Sequence, residues 1–243
     1  MELTIGTYVL INFILVVSSI LQMATGVTVG MIIVPLLAMI SYTLIPVPIA
    51  FASLALTIMM AYKGRNNIDT TNLFPIGLGM IIGILFSIFI LKNIEFKYMG
   101  IVFGSAILIA VYFSIKIPTF ILTKKISYTG GFIAGIMGAT AAVGGKVVAL
   151  LFQNHPLESL KATLAFLYTL FSVVMLVIFF AFGEFSYSQF ISGVYMMPGF
   201  VIGFFVAPLF AKYFNPKYSK TAVLFMATLG SLILIGKSLY PLL

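Results

Sequence analysis

The sequence predicts an all-α polytopic membrane protein with about eight transmembrane elements, arranged as two inverted repeats of four elements each. Three observations lead to this prediction. The 243 residues are 62% hydrophobic and only 7% charged, whereas about a quarter of the residues of a soluble domain are charged. Apolar runs long enough to cross a bilayer as helices recur along the whole chain. A glycine-rich interruption occurs at a corresponding place in each half, which is typical of transporter repeats.

The apolar segments predict the helices in chain order. They lie at residues 5–23, 29–44, 46–62, 72–91, 98–115, 126–152, 160–183, 188–211 and 219–240. The breaks between them are polar or turn-forming, and none is long enough to form a separate soluble domain. We therefore expect one transmembrane domain over residues 1–243, with repeat one at residues 1–118 and repeat two at residues 119–243.

The opening of each half supports the division into repeats. The first half reads "ATGVTVGMIIVPLL" at 24–37, and the second reads "GATAAVGGKVVALL" at 138–151. Each half opens with an apolar helix, breaks at this stretch, resumes as a short apolar helix, and passes a proline-containing bend before three ordinary spans. We therefore expect the first element of each repeat to be broken or hairpin-like.

The positions of the basic residues predict the orientation. If each break turns the chain back, each repeat makes three net crossings and the repeats are inverted. One side then carries Lys63, Arg65, Lys116, Lys124, Lys125, Lys161, Lys212, Lys217 and Lys220, and the other carries Lys92, Lys97, Lys237, Glu2, Glu95 and Glu184. By the positive-inside rule, both termini lie outside and the loops at 63–71, 116–125 and 212–220 are cytoplasmic. If each opening pair crossed only once, the last three lysines of the first group would lie outside, against the rule.

The charged residues also exclude several classes of function. The net charge of +8 comes from lysines in short connections, where they act as topology signals, so no nucleic-acid partner is expected. The chain has no cysteine and a single histidine, and neither His155 nor Asp69 lies inside a predicted span. We therefore expect no enzyme activity, no cofactor and no metal site.

The glycine-rich breaks are the candidate substrate site. Glycine lets a helix unwind, and the N-terminus of a half-helix offers free N–H groups and a positive dipole end to an anion. Threonine hydroxyls beside the breaks could complete the hydrogen bonds. The candidate residues are Thr25, Gly26, Thr28, Gly30, Thr140, Gly144, Gly145 and Lys146.

These features also have structural alternatives. Threonines in membrane helices commonly bond to carbonyls of their own helix. Most glycines in membrane helices allow close helix packing, and we assign this role to Gly77, Gly79, Gly83, Gly100, Gly104, Gly199 and Gly203. His155 is expected to be a solvated loop histidine.

Lys146 is the only charge between Ile126 and Phe152. A charged side chain costs at least about 2.5 to 3.5 kcal/mol at the centre of a membrane helix, so it should face protein or water. It follows the pair Gly144 and Gly145 directly, where the start of a short helix would favour a bound anion. The alternative is a lysine that snorkels to the cytoplasmic interface from a shallow hairpin.

The order and spacing of several motifs resemble the TauE/SafE family of sulfite and organosulfonate exporters over essentially the whole chain. The first half has the family's glycine cluster followed by Val-Pro, here Gly26, Gly30, Val34 and Pro35. A basic turn precedes an Asn-Val-Asp-like motif at 63–69, and the second half has Gly144, Gly145, Pro156, Lys161, Ala162 and Thr163. The chain departs from the family pattern at Thr28, Val29 and Lys146, so its substrate can differ from the usual one.

The resemblance implies a secondary transporter of the plasma membrane that exports a small anion, sulfite or an organosulfonate, without ATP. It implies alternating access around a site formed by the two glycine-interrupted helices. The partners expected are this small anion and the lipid bilayer, and a homodimer is compatible with the sequence. An anion channel and a non-transporting membrane subunit remain alternatives at this point.

Overall fold

A computed structural model describes residues 3–25, 30–116, 122–211 and 216–239, without the side chains of residues 25, 116, 211 and 216–220. Within these ranges the chain is helical, with no strand. The α-helices are α1 (Ile5–Thr25), α2 (Gly30–Ile40), α3 (Val47–Lys63), α4 (Leu73–Asn93), α5 (Met99–Lys116), α6 (Lys124–Ala141), α7 (Gly145–Leu151), α8 (Leu157–Ala181), α9 (Tyr187–Ala211) and α10 (Pro216–Leu239). The predicted apolar segments therefore correspond to helices, and the segment 126–152 is divided where the glycines interrupt it.

The helices differ in length and hydropathy. Six are long and apolar enough to cross a membrane, namely α1, α4, α5, α8, α9 and α10. The helices α2, α3 and α7 are shorter, with 11, 17 and 7 residues, and α6, with 18 residues, is not among the six. Length and composition together therefore support a membrane protein with six candidate spans and several shorter apolar helices. The eight-element inverted arrangement stays a prediction.

The helices of the two halves have matching neighbours. Helix α4 packs along α6 as α9 packs along α1, and α3 contacts α9 as α8 contacts α4. Helices α3 and α8 contact each other, as do α5 and α10. If α1–α5 are matched in order with α6–α10, each main contact of one half therefore has a counterpart in the other half.

Glycines form the closest of these helix contacts. Gly79 and Gly83 of α4 lie directly on the backbone carbonyls of Tyr128 and Phe132 in α6, so a Cβ at either position would collide with them. In α9, a Cβ at Gly199 would lie 2.8 Å from the Asn12 carbonyl of α1, and one at Gly203 would collide with the Ser19 side chain. Gly100 and Gly104 pack on α10. The predicted packing role is thus confirmed for these six glycines, whereas a Cβ at Gly77 would meet nothing within 4 Å.

Side-chain contacts define two ends of the bundle. At one end, here the Lys92 end, Lys92 Nζ lies 3.4 Å from Glu184 Oε1. At the same end Ser238 donates to the Lys97 carbonyl at 2.7 Å, and Lys237 donates to the Met39 carbonyl at 3.4 Å. At the opposite end, here the His155 end, His155 Nε2 lies 2.7 Å from Asp69 Oδ2. Helices α3, α4, α5, α8, α9 and α10 run between these two ends.

Both opening pairs of helices turn back. Tyr8, near the start of α1, donates to Ser192 Oγ near the start of α9 at 3.1 Å, and α2 ends at the same end of the bundle beside Lys237. In the second half, Gly144 lies on the carbonyl of Ala134, and a Cβ at Gly130 would meet Leu151 Cδ2 at 2.7 Å. Helix α7 therefore runs back along α6, as a hairpin requires.

Candidate functional site

The two breaks meet in the interior of the bundle. Gly30, the first residue of α2, lies so close to the backbone carbonyl of Ala142 that a Cβ would collide with it. Ala142 caps α6 in the left-handed conformation with φ 54°, which costs an L-residue about 1 to 2 kcal/mol. Gly144 follows and lies on the backbone of α6 at Ala134 and Gly138. Glycine is thus required on both sides of this junction because backbone meets backbone there.

A cavity of about 80 Å³, here called the central cavity, lies at this junction. Both halves contribute to its walls. The lining residues are Gln22, Gly30, Ile33, Ile49, Ala50, Ser53, Thr57, Gly138, Ala142, Gly144, Gly145, Tyr168, Phe171, Ser172 and Phe200. None of these described lining residues carries a charge, so polar recognition in the cavity relies on hydroxyl, amide and backbone groups.

Two polar side chains in the cavity wall form no hydrogen bond with another described residue. Gln22 of α1 is 7% exposed and Ser172 of α8 is 5% exposed. Neither side chain forms a hydrogen bond with another residue in the described ranges. A buried amide or hydroxyl normally has a partner, because an unmet donor costs about 1 to 3 kcal/mol. These two groups are therefore available to a ligand or to water.

The other hydroxyls of the wall already have acceptors. Ser53 Oγ donates to the Ala50 carbonyl at 3.0 Å, and Thr57 Oγ1 donates to the Leu54 carbonyl at 3.4 Å, both within α3. Tyr168 Oη donates to the Gly145 carbonyl at 2.7 Å and so fixes the first turn of α7 against α8. These three hydroxyls shape and hold the cavity.

Only some of the substrate-site residues predicted from the sequence line the central cavity. Gly30, Gly144 and Gly145 line the central cavity. Thr140 is 4% exposed, and its hydroxyl has no hydrogen-bond partner in the described part of the chain, although it does not line the cavity. The side chain of Thr25, together with Gly26 and Thr28, lies outside the described residues.

Lys146 is the second residue of α7 and is only 7% exposed. Its backbone N–H donates to the Val143 carbonyl at 3.3 Å. A lysine that anchors a helix at the membrane interface keeps its ammonium in water or among headgroups, so this burial favours the protein interior. Lys146 adjoins the lining residue Gly145 but is not itself part of the described cavity wall. Its contact with substrate stays a prediction.

The sequence analysis did not name Gln22 and Ser172, the two cavity residues whose side chains form no hydrogen bond with another described residue. For Gln22 the sequence did contain an indication. Gln22 is an amide inside the long apolar run of α1, and a polar residue at that depth is by default a functional hypothesis. Ser172 gave no comparable signal, because a serine in a membrane helix usually bonds to its own helix. Its position in the cavity wall becomes visible only when α8 is placed beside the break.

A second polar cluster joins the loops at the His155 end. The Asp69 carboxylate accepts hydrogen bonds from the N–H and the hydroxyl of Thr71 at 2.9 and 2.6 Å, and its Oδ2 lies 2.7 Å from His155 Nε2. The Asp69 N–H donates to Thr163 Oγ1 at 2.8 Å. The Thr71 hydrogen bonds, and then the contact with His155, hold the pKa of Asp69 below its ordinary value, against an opposing effect of burial. His155 lies in a loop and stays partly exposed, as predicted, but it is also paired with Asp69, which the sequence did not indicate.

Comparison with known proteins identifies the family. No curated protein and no solved structure matches the chain. The family model described as sulfite exporter TauE/SafE matches residues 11–234, which confirms the resemblance seen in the motifs. With its six long apolar helices, the chain is a multi-pass membrane protein, and it belongs to the TauE/SafE sulfite exporter family.

Proposed function

We propose that the protein is a secondary transporter that exports a small anion, sulfite or an organosulfonate, and that it binds this anion in the central cavity. Membership of a sulfite exporter family supports the class of substrate. The observation that carries the assignment of the site is the junction of the two glycine-rich breaks. There, Gln22 and Ser172 line a cavity and form no hydrogen bond with another described residue.

The chemistry of the cavity suits an anion. Helix α2 begins at Gly30, which lines the cavity, so the positive end of its dipole adjoins the ligand space. The Gln22 amide and the Ser172 hydroxyl can both donate hydrogen bonds to an oxyanion. Helix α7 has only 7 residues, so α2 supplies the larger part of the dipole effect. Carboxylates, which a cation site needs, are lacking among the described lining residues.

The size of the cavity limits what it holds in this conformation. A volume of about 80 Å³ compares with about 30 Å³ for one water molecule in the liquid. A sulfite or a sulfonate headgroup fits this volume. A longer organic tail requires outward movement of the apolar wall, in which Phe171 and Phe200 are the largest side chains.

The arrangement of the helices supports alternating access. The matching neighbours of α1–α5 and α6–α10 fit two repeats related by a pseudo-two-fold axis. The two hairpins fit an inverted relation in which the repeats meet at the central cavity. Basic residues Lys63, Arg65, Lys124, Lys125 and Lys161 lie toward the His155 end, so we assign this end to the cytoplasm and both termini to the outside of the plasma membrane.

The test is anion flux in proteoliposomes that contain the purified protein. We expect saturable efflux of sulfite, sulfoacetate or a related organosulfonate, accelerated by the same anion on the opposite side. Such exchange is diagnostic of a carrier, whereas a channel shows no acceleration. Absence of flux for the whole panel of anions would contradict the proposal and favour a non-transporting subunit.

The site is tested with substitutions in the cavity wall. Gln22→Ala and Ser172→Ala should each weaken anion binding by about ten- to hundredfold, because a hydrogen bond to a charged group contributes about 1.5 to 3 kcal/mol. Gln22→Glu should abolish flux, since it places a carboxylate beside the anion. The matched control is Ser87→Ala, because Ser87 is also buried but donates to the Ile84 carbonyl of its own helix at 2.7 Å. Equal effects of the Ser87 and Ser172 substitutions would argue against this site.

A further inference from the structure

A second and larger cavity opens at the His155 end of the bundle. It has a volume of about 420 Å³, and its polar wall consists of Lys63, Asn67, Glu158 and Lys161. We call it the basic vestibule. The two lysines and one carboxylate leave it with a net positive charge.

The two lysines are held close together by the fold. Lys63 precedes Gly64 at the end of α3, and Lys161 precedes Ala162 in the first turns of α8. Gly64 and Ala162 are in contact, since a Cβ at Gly64 would lie 2.8 Å from Ala162 Cβ. Both lysines therefore flank a tight helix contact and face the same cavity.

Neither vestibule lysine is neutralised by a carboxylate of the described residues. Glu158 lies three positions before Lys161 on the same helix, a spacing at which opposite charges commonly pair. The structure nevertheless shows no ion pair between them. Lys161 is the fifth residue of α8, just beyond its first turn. This charge arrangement is suited to bind an anion from solution.

The basic vestibule continues toward the central cavity. On α1, Gln22 lines the central cavity and Met23 lines the vestibule. On α3, Thr57 lines the former and Met60 the latter, one helical turn further on. The cavities are thus separated by a thin layer in which two flexible methionine side chains take part.

We propose that the basic vestibule is a second anion-binding site, at which Lys63 and Lys161 capture a sulfite or sulfonate anion before it enters the central cavity. This inference rests on the proposed function for the identity of its ligand. A cleft with a net positive charge, as the two lysines and Glu158 give the vestibule, concentrates anions, and such clefts raise the rate of arrival of their counter-ions by about 10- to 1000-fold at low ionic strength. The vestibule thereby supplies the neutral central cavity with substrate.

The test uses the absence of cysteine in the chain, which makes a single introduced cysteine a unique reporter. Asn67→Cys places a thiol in the vestibule wall. Ser188→Cys places an exposed thiol at the opposite end. The measurement is the rate of reaction with the anionic sulfonatoethyl methanethiosulfonate, divided by the rate with its cationic trimethylammonioethyl analogue. Comparison of this ratio between the two cysteines cancels the intrinsic reactivity of the reagents.

We expect the ratio to be at least about tenfold higher at position 67 than at position 188 in low salt, and to fall as salt screens the charges. The double substitution Lys63→Gln and Lys161→Gln should remove this preference, and added sulfoacetate should slow the anionic reagent. Lys124→Gln with Lys125→Gln is the matched control, because it removes the same charge from exposed positions at the same end. An equal ratio at positions 67 and 188 would overturn the inference, as would an equal loss with the control pair.

The same variants separate this inference from the proposed function. If the vestibule lysines direct the anionic reagent but no anion is transported, the binding site stands and the transport proposal fails. If transport is intact and the ratio is insensitive to both lysines, the vestibule is not an anion site and the transport proposal stands. In a transporting protein, the double substitution should raise KM from the cytoplasmic side more than it lowers kcat.

Discussion

Substitution of Gly144 by alanine tests whether α7 turns back along α6. Gly144 has φ −59° and ψ −26°, which alanine adopts without strain. Any loss of stability must therefore come from contacts of the new methyl group. Its Cβ would lie 2.7 Å from the Gly138 nitrogen and 2.8 Å from the Gly138 Cα, and it would collide with the carbonyl of Ala134. All three atoms belong to the backbone, so no side chain can rotate away.

The expected loss follows from the displacement that alanine requires. Ordinary contact begins near 3.4 Å, so α7 and α6 must separate by several tenths of an ångström or more. Overpacking of this kind costs about 1 to 3 kcal/mol, and a backbone neighbour favours the upper value. In the control Gly77→Ala, the methyl group meets nothing within 4 Å, and alanine in a helix is more favourable than glycine by up to about 1 kcal/mol. We expect the two variants to differ by about 3 to 4 kcal/mol.

The assay is thermal unfolding of the purified variants in detergent, followed by circular dichroism. A difference of 3 to 4 kcal/mol corresponds to about 6 to 16 °C in Tm for a chain of this size. Gly144→Ala should also reduce anion flux, because Gly144 lines the central cavity. A Gly144→Ala variant that melts at or above the wild-type temperature would refute the hairpin packing of α7.

Three further predictions concern charged residues. Asp69→Asn should cost about 2 kcal/mol at pH 7, because it removes the carboxylate charge that the Thr71 hydrogen bonds, and then His155, stabilise. Because folding lowers the pKa of Asp69 from 3.8, this stabilisation is present above 3.8 and is lost as the pH falls through the lower folded value. The difference in Tm between variant and wild type should therefore close in acid, and a constant difference would count against a stabilising role of the Asp69 carboxylate. The sequence-based prediction that Lys146 contacts the substrate requires that Lys146→Ala and Lys146→Gln lose anion binding and flux in a folded protein while Lys146→Arg retains part of both, and wild-type transport by Lys146→Ala would reject the contact. Cysteines at Lys217 and Ser188 should be labelled from the cytoplasm and from outside, respectively, and labelling of Lys217 from outside would reject the inverted topology.

Much of the fold could be predicted because membrane helices are recognisable from the hydropathy of the sequence. An apolar run that ends at charged or proline-containing turns leaves few alternatives to a helix, and the helix bounds follow within a few residues. The breaks were also visible, since glycines recur at corresponding positions of the two halves. The length of α1 was less informative: at 21 residues it is long enough for a full span, and only its contacts and those of α2 show that the chain turns back.

The candidate site was predictable in position and only partly in chemistry. Glycines such as Gly30 and Gly144 are recognisable because backbone contact admits no other residue. Whether Gln22 and Ser172 line the cavity depends on which faces of α1 and α8 turn toward the junction. The sequence does not show this, because helices that are apolar on all sides have little hydrophobic periodicity. The pairing of Asp69 with His155 joins residues 86 positions apart, so no local pattern could indicate it.

The correspondence between α1 and α6 explains why the central cavity is asymmetric. The carbonyls of Asn12 and Val16 face the paired glycines of α9 as those of Tyr128 and Phe132 face the paired glycines of α4. Six residues after Val16 the chain has Gln22, and six residues after Phe132 it has Gly138; both line the cavity. At Gly138 a Cβ would lie 2.6 Å from Phe171 Cζ, so the second repeat cannot carry a side chain there. Phe171 fills the space that Gly138 leaves open, so at this pair of equivalent positions only the first repeat contributes a polar side chain, the Gln22 amide, to the cavity wall.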